Sequence, residues 1–329
     1  ISDLDNEYYI KYSDIEAVDN YYQEDNRYKK YIVFNKNIIT DETTTFYLDD
    51  YPLYELNKSF NLPIIINDEE EEKYYVEYNN MLLYVKQDDV VEIKNNQNTE
   101  EINTTGIPVL NYHFVYKPDE ETCDQEICHP EEQFRQHMSY IKESGYFTPT
   151  MAELDMYMDG KLQLPQSVII TLDDGRNINL ATKIIEEYEL NATAFIVTSR
   201  YNVEEDFIKS DYVELQSHSH ALHDAGTCPP GHGQGGGLTC KSDEEVLNDL
   251  KTSIEQLKGA IAFCYPFYEY NDNSIKILKE AGFKLAFAGE YANGKTKAEV
   301  GGDKYQIPRW VIVTYTTMDL FKDYVDGKL

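Results

Sequence analysis

The chain has 329 residues, of which 41% are hydrophobic, and a formal net charge of -31 at pH 7. That length suits two domains better than one and the apolar fraction is sufficient for a real core, whereas the charge argues against nucleic acids and anionic membrane surfaces as partners. The sequence contains no run of about 18 apolar residues, so it predicts no membrane span. The chain begins at Ile1 and has no signal peptide, as expected of a mature form from which an export signal has been removed.

Residues 1–95 predict a small β-rich accessory domain. Short aromatic and apolar segments that favour strands alternate with acidic and Asn-rich turns. The segments lie at 8–10, 31–34, 45–48 and 74–85, and residues 15–22 could form a short helix. The many tyrosines could stack on sugars, although packing within the sheet explains them better. The polar stretch at 96–105 predicts a linker.

From Gly106 the pattern changes to alternating strands and helices, which predicts a parallel sheet covered by helices over residues 106–329. The predicted strands are 108–113, 168–172, 192–197, 213–216, 260–264, 284–288 and 310–313, and the predicted helices are 131–144, 180–188, 242–257 and 274–281. The fold class is therefore α/β, a distorted (β/α) barrel preceded by the small β-rich domain.

Two adjacent acids, Asp173 and Asp174, directly follow the predicted buried strand at 168–172, and Gly175 follows them. Adjacent carboxylates repel each other and lose hydration near a buried strand end, so a cation would stabilise them. The carboxyl ends of parallel strands are also where α/β folds place their chemistry. An isolated Asp-Asp-Gly is more typical of a solvated turn, so a second signal is needed.

Three histidines, His218, His220 and His223, supply that signal just after the predicted strand 213–216. Neutral imidazole is the commonest nitrogen ligand for divalent metals. Two imidazoles and one carboxylate make a three-ligand site with an open position, which suits a metal that activates water. The residues predict Asp174 plus two of the three histidines as the ligand set.

The five cysteines favour two local disulfides, Cys123–Cys128 and Cys228–Cys240, with Cys264 left as a buried thiol in an apolar run. Such pairs favour an oxidising, extracellular setting. A four-cysteine zinc site is the alternative, and it is weaker because neither pair has the two-residue spacing of zinc knuckles.

From about Pro108 onward, the chain resembles the polysaccharide deacetylase family, also called NodB-like or carbohydrate esterase family four. Thr171-Leu-Asp-Asp-Gly175 is similar to the family motif Thr-Phe-Asp-Asp-Gly, and Ser217-His218-Ser219 with His223 resembles its His-Ser/Thr…His motif. The five-residue separation of the two histidines is similar to the branch that de-N-acetylates poly-β-1,6-N-acetylglucosamine in biofilms. The resemblance selects His218 and His223 as ligands and leaves His220 as a neighbour.

The resemblance implies a role for each matching residue. Asp174, His218 and His223 would hold a divalent cation, most simply Zn²⁺, with Co²⁺ or Ni²⁺ as alternatives. Asp173 would be the general base, and Arg309 is similar to the arginine that orients the base. Cys264-Tyr265-Pro-Phe267-Tyr268 stands at the family's Arg-Pro-Pro-Tyr-Gly or Ala-Tyr-Pro-Tyr-Gly, which makes the Phe267 backbone N–H an oxyanion donor and Tyr265 and Tyr268 substrate contacts.

Three features depart from the family pattern. The late Leu-x-His motif is absent, so we expect His113, in a Tyr-His pair similar to that of the biofilm branch, to be the general acid; a hydrogen-bonded strand-end histidine is the alternative. Tyr268 replaces a glycine, which narrows the groove or changes the turn. The glycine-rich Cys228–Cys240 loop is either a rim that contacts substrate or a stapled surface loop.

Trp310 could stack on a sugar or belong to the core.

These observations predict a secreted or surface-attached, metal-dependent hydrolase that removes N-acetyl groups from an N-acetylglucosamine polysaccharide. Poly-β-1,6-N-acetylglucosamine is favoured and peptidoglycan is next, and we expect a monomer. The alternative is a carbohydrate-binding protein on the same scaffold that has lost turnover, which the missing late histidine and Tyr268 would fit. Retention of both Asp173 and Asp174 favours the enzyme.

Overall fold

The computed structural model describes residues 36–48, 50–78, 81–95, 103 and 105–329. The strands predicted at 8–10 and 31–34 and the helix predicted at 15–22 lie outside these residues, as does most of the predicted linker. The boundaries of the two domains therefore stay a prediction.

Residues 36–95 form two antiparallel sheets from eight short strands: β1 (Lys36–Thr40), β2 (Thr44–Leu48), β3 (Tyr51–Leu56), β4 (Asn61–Pro63), β5 (Ile66–Asp68), β6 (Lys73–Tyr78), β7 (Met81–Lys86) and β8 (Val90–Asn95). Their orders are β3-β2-β7-β6-β5 and β4-β1-β8. Apolar side chains alternate along the strands, and Ile38, Phe46 and Val76 are fully buried between the sheets. Tyr74 and Tyr84 are buried too, as the packing explanation of the tyrosines requires.

The rest of the chain is built on a seven-stranded parallel sheet with the order β16-β15-β14-β13-β12-β9-β17. Its strands are β9 (Val109–Tyr112), β12 (Ile169–Leu172), β13 (Ala192–Ile196), β14 (Val213–Ser217), β15 (Ala262–Cys264), β16 (Leu285–Phe287) and β17 (Trp310–Val311). A parallel bridge between Phe287 and Ile307 joins the β16 edge to the segment that leads into β17. The sheet is thus curled, in agreement with the predicted α/β class and the distorted barrel.

The helices are α1 (Glu131–Glu143), α2 (Met151–Met158), α3 (Ile178–Glu187), α4 (Val203–Asp206), α5 (Asp243–Gln256), α6 (Asp272–Ala281) and α7 (Met318–Val325). The predictions missed α2, α4 and α7, and the parallel pair β10 (Phe114–Tyr116) with β11 (Cys128–Pro130). A capping box of Thr150 and Glu153 begins α2, so its start was readable from the sequence.

The two faces of the sheet have separate cores because successive strand residues point to opposite sides. On β9, Leu110 and Tyr112 pack outward against α1 and α3, whereas Val109 packs inward with Ile169 and Phe287. This alternation places Asn111, Thr171 and the position after β12, Asp173, on the inner face. The inner face therefore carries polar groups at the carboxyl ends of the strands.

Both predicted disulfides, Cys123–Cys128 and Cys228–Cys240, are confirmed, and Cys264 is a buried free thiol. The four-cysteine zinc alternative is therefore wrong, because these four sulfurs are paired covalently. Within the described residues, no helix combines the length and the apolar character needed to span a bilayer.

We predict that Ile184→Ala lowers the free energy of unfolding by about 2–5 kcal/mol, because Ile184 on α3 is 0% exposed and its loss leaves a cavity. Urea unfolding followed through the fluorescence of Trp310, the single tryptophan, measures the change. Ile208→Ala is the matched control; Ile208 is 39% exposed, so its effect should stay within about 0.5 kcal/mol. Equal losses for the two variants would contradict the packing described for α3.

Candidate active site

The predicted site residues meet at the carboxyl edge of the parallel sheet. His113 follows β9, Asp173 and Asp174 follow β12, and His218 follows β14. Backbone hydrogen bonds hold these strand ends level, since the N–H of Asp173 donates to the carbonyl of Tyr112 at 2.9 Å. Parallel strands end at the same edge, so residues distant in sequence become neighbours there.

The turn after β12 is tight. Asp174 and Gly175 both have positive φ, +70° and +90°. A Cβ on Gly175 would lie 2.6 Å from the Tyr201 ring, so position 175 accepts only glycine without movement of that ring. The turn sends the two acids in different directions: Asp173 is 2% exposed, whereas the Asp174 side chain is 29% exposed.

Asp174, His218 and His223 converge as predicted. The Asp174 Oδ1 atom lies 3.5 Å from Nε2 of His218 and 3.3 Å from Nε2 of His223. His220 is not part of this cluster, because its Nδ1 atom contacts the Thr198 hydroxyl at 3.0 Å instead. Of the three histidines left open by the residue pattern, the structure therefore brings His218 and His223 to the acid.

Neighbouring groups orient the two imidazoles. His218 Nδ1 lies 2.8 Å from the carbonyl oxygen of Cys264, so Nδ1 carries a proton and Nε2 is the nitrogen that faces Asp174. Arg200 donates to the carbonyl of His223 at 2.6 Å. Asp249 accepts hydrogen bonds from the backbone N–H groups of His220 and Ala221 at 2.8 and 2.7 Å, which fixes the loop between the two ligands.

These three residues fit a divalent cation. Asp174 Oδ1 is buried and has no hydrogen-bond partner although two imidazole nitrogens face it, an arrangement that a shared cation would satisfy. Two nitrogens and one oxygen are a donor set typical of zinc sites that keep a position open. The ligating atoms lie within 4.8 Å of one another.

A second cluster, Asp173, His218 and Cys264, has similar spacing but suits a cation less well. The Arg309 guanidinium already lies between its members, 2.9 Å from Asp173 Oδ2 and 2.7 Å from Cys264 Sγ. That fixed positive charge would repel a metal ion at the same place. Among the described residues, no guanidinium contacts the ligating atoms of the first cluster, so it is the better candidate metal centre.

The electrostatics of the first cluster suit Asp174 and His223 as ligands. Cys264 and Asp174 outweigh burial and raise the pKa of His218, so His218 must release a proton when a cation binds. Burial alone would raise the pKa of Asp174, but His218 and His223 lower it to about 2. Burial and the proximity of His218 lower the pKa of His223 to about 4. At neutral pH the acid is therefore ionised and His223 is neutral, as metal ligands must be.

Asp173 makes a bidentate ion pair with Arg309. Nη1 donates to Oδ1 at 2.8 Å and Nη2 donates to Oδ2 at 2.9 Å, with both side chains almost wholly buried. The Asn111 amide also donates to Oδ2, at 3.0 Å. Burial opposes ionisation of Asp173, yet the Arg309 charge outweighs burial and holds the pKa of Asp173 well below its usual range. Asp173 is therefore a carboxylate at neutral pH.

His113 lies beside both acids. Burial lowers the pKa of His113, and the carboxylates of Asp173 and Asp174 oppose that shift only in part. Its Nδ1 atom is buried without a hydrogen-bond partner. The alternative of a hydrogen-bonded strand-end histidine therefore does not hold for that nitrogen.

The segment after β15 forms one wall of the site. Phe267 and Tyr268 both have left-handed backbone, with φ of 57° and 60°, and the Phe267 ring centroid lies 4.4 Å from that of His223. Glu269 accepts backbone hydrogen bonds from Gln234 and Gly235. The stapled loop thus packs against this wall, and its contact with substrate stays a prediction.

Two predicted substrate contacts are corrected. Tyr265 is 0% exposed, stacks on Tyr270 and donates from its hydroxyl to the Tyr305 carbonyl, so its side chain belongs to the core. Trp310 is 3% exposed and stacks on Tyr324 at 4.6 Å, which favours the core alternative over sugar stacking.

Sequence reasoning missed Asn111, Arg200 and Asp249. Asn111 carried a weak signal, since it is the polar residue within the apolar strand segment 108–112. Arg200 and Asp249 act through contacts with distant loops, and no local pattern marks them.

A comparison with protein-family models matches residues 161–286 to the family described as polysaccharide deacetylase. The matched range contains the Asp173–Asp174 turn, both histidines of the first cluster and the wall segment. This part of the chain is similar to the polysaccharide deacetylase family.

Curated relatives agree with this assignment. The poly-β-1,6-N-acetyl-D-glucosamine N-deacetylase of Staphylococcus aureus (strain N315) is 26% identical over 202 residues, which cover 55% of this chain and 66% of that protein. The YxkH protein of Bacillus subtilis (strain 168) is 23% identical, with 56% of this chain and 64% of that protein covered. The match thus spans slightly less than two thirds of these relatives.

Solved polysaccharide deacetylase structures share the fold. A de-N-acetylase from Aggregatibacter actinomycetemcomitans superposes with a TM-score of 0.55 at 20% identity, covering 66% of this chain and 99% of that one. The Streptococcus pyogenes deacetylase PplD, solved with acetate, gives 0.54 at 20% identity and covers 68% and 99%. At this identity the similarity establishes the architecture of the deacetylase region.

We predict that Arg309→Gln lowers the free energy of unfolding by about 3–5 kcal/mol at pH 7, because Asp173 would remain as a buried charge without its partner. Arg135→Gln is the control; its partners Glu131 and Glu187 are partly exposed, so a loss of about 0–1 kcal/mol is expected. Urea unfolding measures both.

The pH dependence gives a second readout of the same variant. In the wild type, the lowered pKa of Asp173 contributes stability above its unfolded-state pKa of about 3.9, and that contribution is lost as the pH falls further. Without Arg309, burial would raise the pKa of Asp173, so the folded variant takes up a proton more readily. The difference between variant and wild type should shrink from pH 7 towards pH 4. A constant difference would contradict the ion-pair explanation.

Proposed function

We propose that the protein is a metal-dependent hydrolase that removes N-acetyl groups from an N-acetylglucosamine polysaccharide. The observation that carries the proposal is the pairing of a three-ligand cluster, Asp174, His218 and His223, with a separate buried carboxylate, Asp173, on the adjoining residue. A cation site with an ionised acid beside it is what amide hydrolysis by water needs.

A divalent cation held by Asp174, His218 and His223 would supply Lewis acidity toward the acetamide carbonyl and the attacking water. We assign Asp173 as the base that takes the proton from that water. Arg309 keeps Asp173 ionised and oriented, and one lone-pair direction on Oδ1 is left for the proton because Asn111 binds Oδ2.

The backbone N–H of Phe267 is our candidate for a donor to the oxyanion that develops on the acetyl oxygen. The Phe267 ring lies against His223, so the segment is close to the cation ligands. Its N–H has no backbone acceptor among the described residues, whereas the next two N–H groups donate to the carbonyls of Tyr265 and Pro266. Loss of one such donor typically costs about 3 kcal/mol of transition-state stabilisation.

His113 is our candidate for the acid that protonates the leaving amine. Its lowered pKa makes it largely neutral at rest, so in this scheme it must gain a proton during the reaction. The two neighbouring carboxylates favour the protonated imidazole, and Asp173 is the group from which the proton would come. The unpartnered Nδ1 atom leaves a nitrogen available for this role.

The substrate and setting are inferred from relatives and charge. The Staphylococcus aureus relative is named for poly-β-1,6-N-acetyl-D-glucosamine, so we favour that polymer, with peptidoglycan next. A net charge of -31 disfavours polyanions and accommodates a neutral polymer or its cationic, deacetylated product. The two disulfides favour an exported, extracellular or cell-surface protein. We expect it to act as a monomer.

The proposal predicts that zinc-loaded protein releases acetate from β-1,6-linked N-acetylglucosamine oligomers faster than from β-1,4-linked oligomers or peptidoglycan. Asp173→Asn should abolish turnover and retain zinc, because Asp173 is not a ligand here. Asp174→Asn should lose both. Asp224→Asn is the matched control, since Asp224 is next to His223 but exposed.

Acetate is measured by an enzyme-coupled assay and zinc affinity by calorimetry. Zinc binding with oligomer binding but no acetate release would favour the non-catalytic carbohydrate-binding alternative. Loss of zinc from Asp173→Asn would contradict the division of roles between the two acids.

We also predict that His113→Asn lowers kcat by about 10²–10⁴-fold with zinc affinity unchanged, since a general acid contributes that much. His232→Asn, at an exposed histidine of the stapled loop, should leave kcat unchanged. Steady-state kinetics on the oligomers provide the measurement. A kcat within twofold of the wild type would remove His113 from the mechanism.

A further inference from the structure

Tyr268 lies in the wall of the site, and packing against its neighbours fixes its backbone and its ring. It is the second of two consecutive non-glycine residues with positive φ, a costly backbone that persists where packing fixes it. The ring lies over the Arg309 guanidinium at 5.5 Å and against Gly289, where a Cβ would come 3.2 Å from Tyr268 Cγ. The ring is therefore held between two elements of the barrel.

The hydroxyl of Tyr268 is aimed by Asn111. The Asn111 Nδ2 atom donates both to Asp173 Oδ2 at 3.0 Å and to the Tyr268 hydroxyl at 2.9 Å. The orientation of the amide is fixed, because ionised Asp173 can only accept hydrogen bonds and so must face the NH₂ group. The opposite atom, Asn111 Oδ1, is buried without a partner, which is consistent with an amide held by its nitrogen alone.

This arrangement leaves the phenolic proton unused. The Tyr268 oxygen accepts from Asn111, and no other hydrogen-bond partner of the hydroxyl is present among the described residues. Burial raises the pKa of Tyr268, so the hydroxyl stays protonated and remains a donor at neutral pH. A partly buried donor without an acceptor is unfavourable unless a ligand or water supplies the acceptor.

The Tyr268 hydroxyl lies close to Asp173, the proposed base. Since the Asp173 and Tyr268 oxygens both bind one nitrogen, they are at most about 6 Å apart. We propose that the Tyr268 hydroxyl donates a hydrogen bond to a sugar oxygen of the N-acetylglucosamine unit bound over the cation site, and so acts as a specificity-determining residue. This inference rests on the proposed function, and it assigns to Tyr268 recognition of the sugar rather than of the acetyl group.

The test compares two substrates and two tyrosines. Zinc-loaded wild type, Tyr268→Phe and Tyr270→Phe are assayed on a β-1,6-linked N-acetylglucosamine pentamer and on p-nitrophenyl acetate, an acetyl ester without a sugar. Tyr270 is the matched control because its hydroxyl, two residues away, donates to Gln306 at 3.1 Å. Trp310 fluorescence during urea unfolding checks that each variant is folded.

We predict that Tyr268→Phe raises KM for the pentamer about fivefold, as expected for the loss of one hydrogen bond. Ester hydrolysis and the pH profile of kcat should be unchanged, and Tyr270→Phe should match the wild type throughout. An equal loss on both substrates, or a shifted pH profile, would overturn the inference, because Tyr268 would then act through Asn111 on Asp173. An unchanged KM for the pentamer would overturn it as well.

Failure of the proposed function can be distinguished from failure of the inference about Tyr268. If wild type releases no acetate, the deacetylase proposal fails, and calorimetric affinity for the pentamer then decides the role of Tyr268. Weaker binding by Tyr268→Phe than by wild type would support the sugar contact. Equal binding, or no binding by the wild type, would overturn it.

Discussion

The buried ion pair between Asp173 and Arg309 is the interaction around which the site is arranged. Removing both charges from water is costly, and the bidentate geometry with further hydrogen bonds offsets that cost. Arg309 also donates to the Thr171 hydroxyl and the Ala288 carbonyl, so the ends of β12 and β16 meet the segment that carries Arg309. Fixing Asp173 in this way leaves Asp174, the next residue, as the acid that turns outward to the histidines.

This division explains how two adjacent carboxylates can have different chemistry. The charge of Arg309 stabilises one, and His218 and His223 stabilise the other, so both stay ionised although they are neighbours. The left-handed backbone at Asp174 and Gly175 separates their side chains. Without that turn both acids would compete for the same counter-charge.

The wall formed by Phe267 and Tyr268 links this centre to the surface. Glu269 ties the wall to the Cys228–Cys240 loop, and the Tyr268 hydroxyl is tied to Asp173 through Asn111. The same short segment thus carries the proposed oxyanion donor, the proposed sugar contact and an anchor for the disulfide loop. Asn111 therefore contacts both the proposed sugar donor and the proposed base.

The sequence by itself determined the α/β class, most of the strands and both disulfides, because each has a local signal: periodicity or short spacing. It also placed Asp174 and a group of three histidines at strand ends, and the family resemblance selected His218 and His223 among them. Tertiary structure decided what lacks such a signal. Arg309 and Asp173 are 136 residues apart, and Asn111 and Tyr268 are 157 apart, so only closure of the sheet brings them together. The burial of Tyr265 and Trp310 was decided in the same way. An aromatic side chain suits a core or a sugar site equally well, and the choice depends on which neighbours the folded chain places around it.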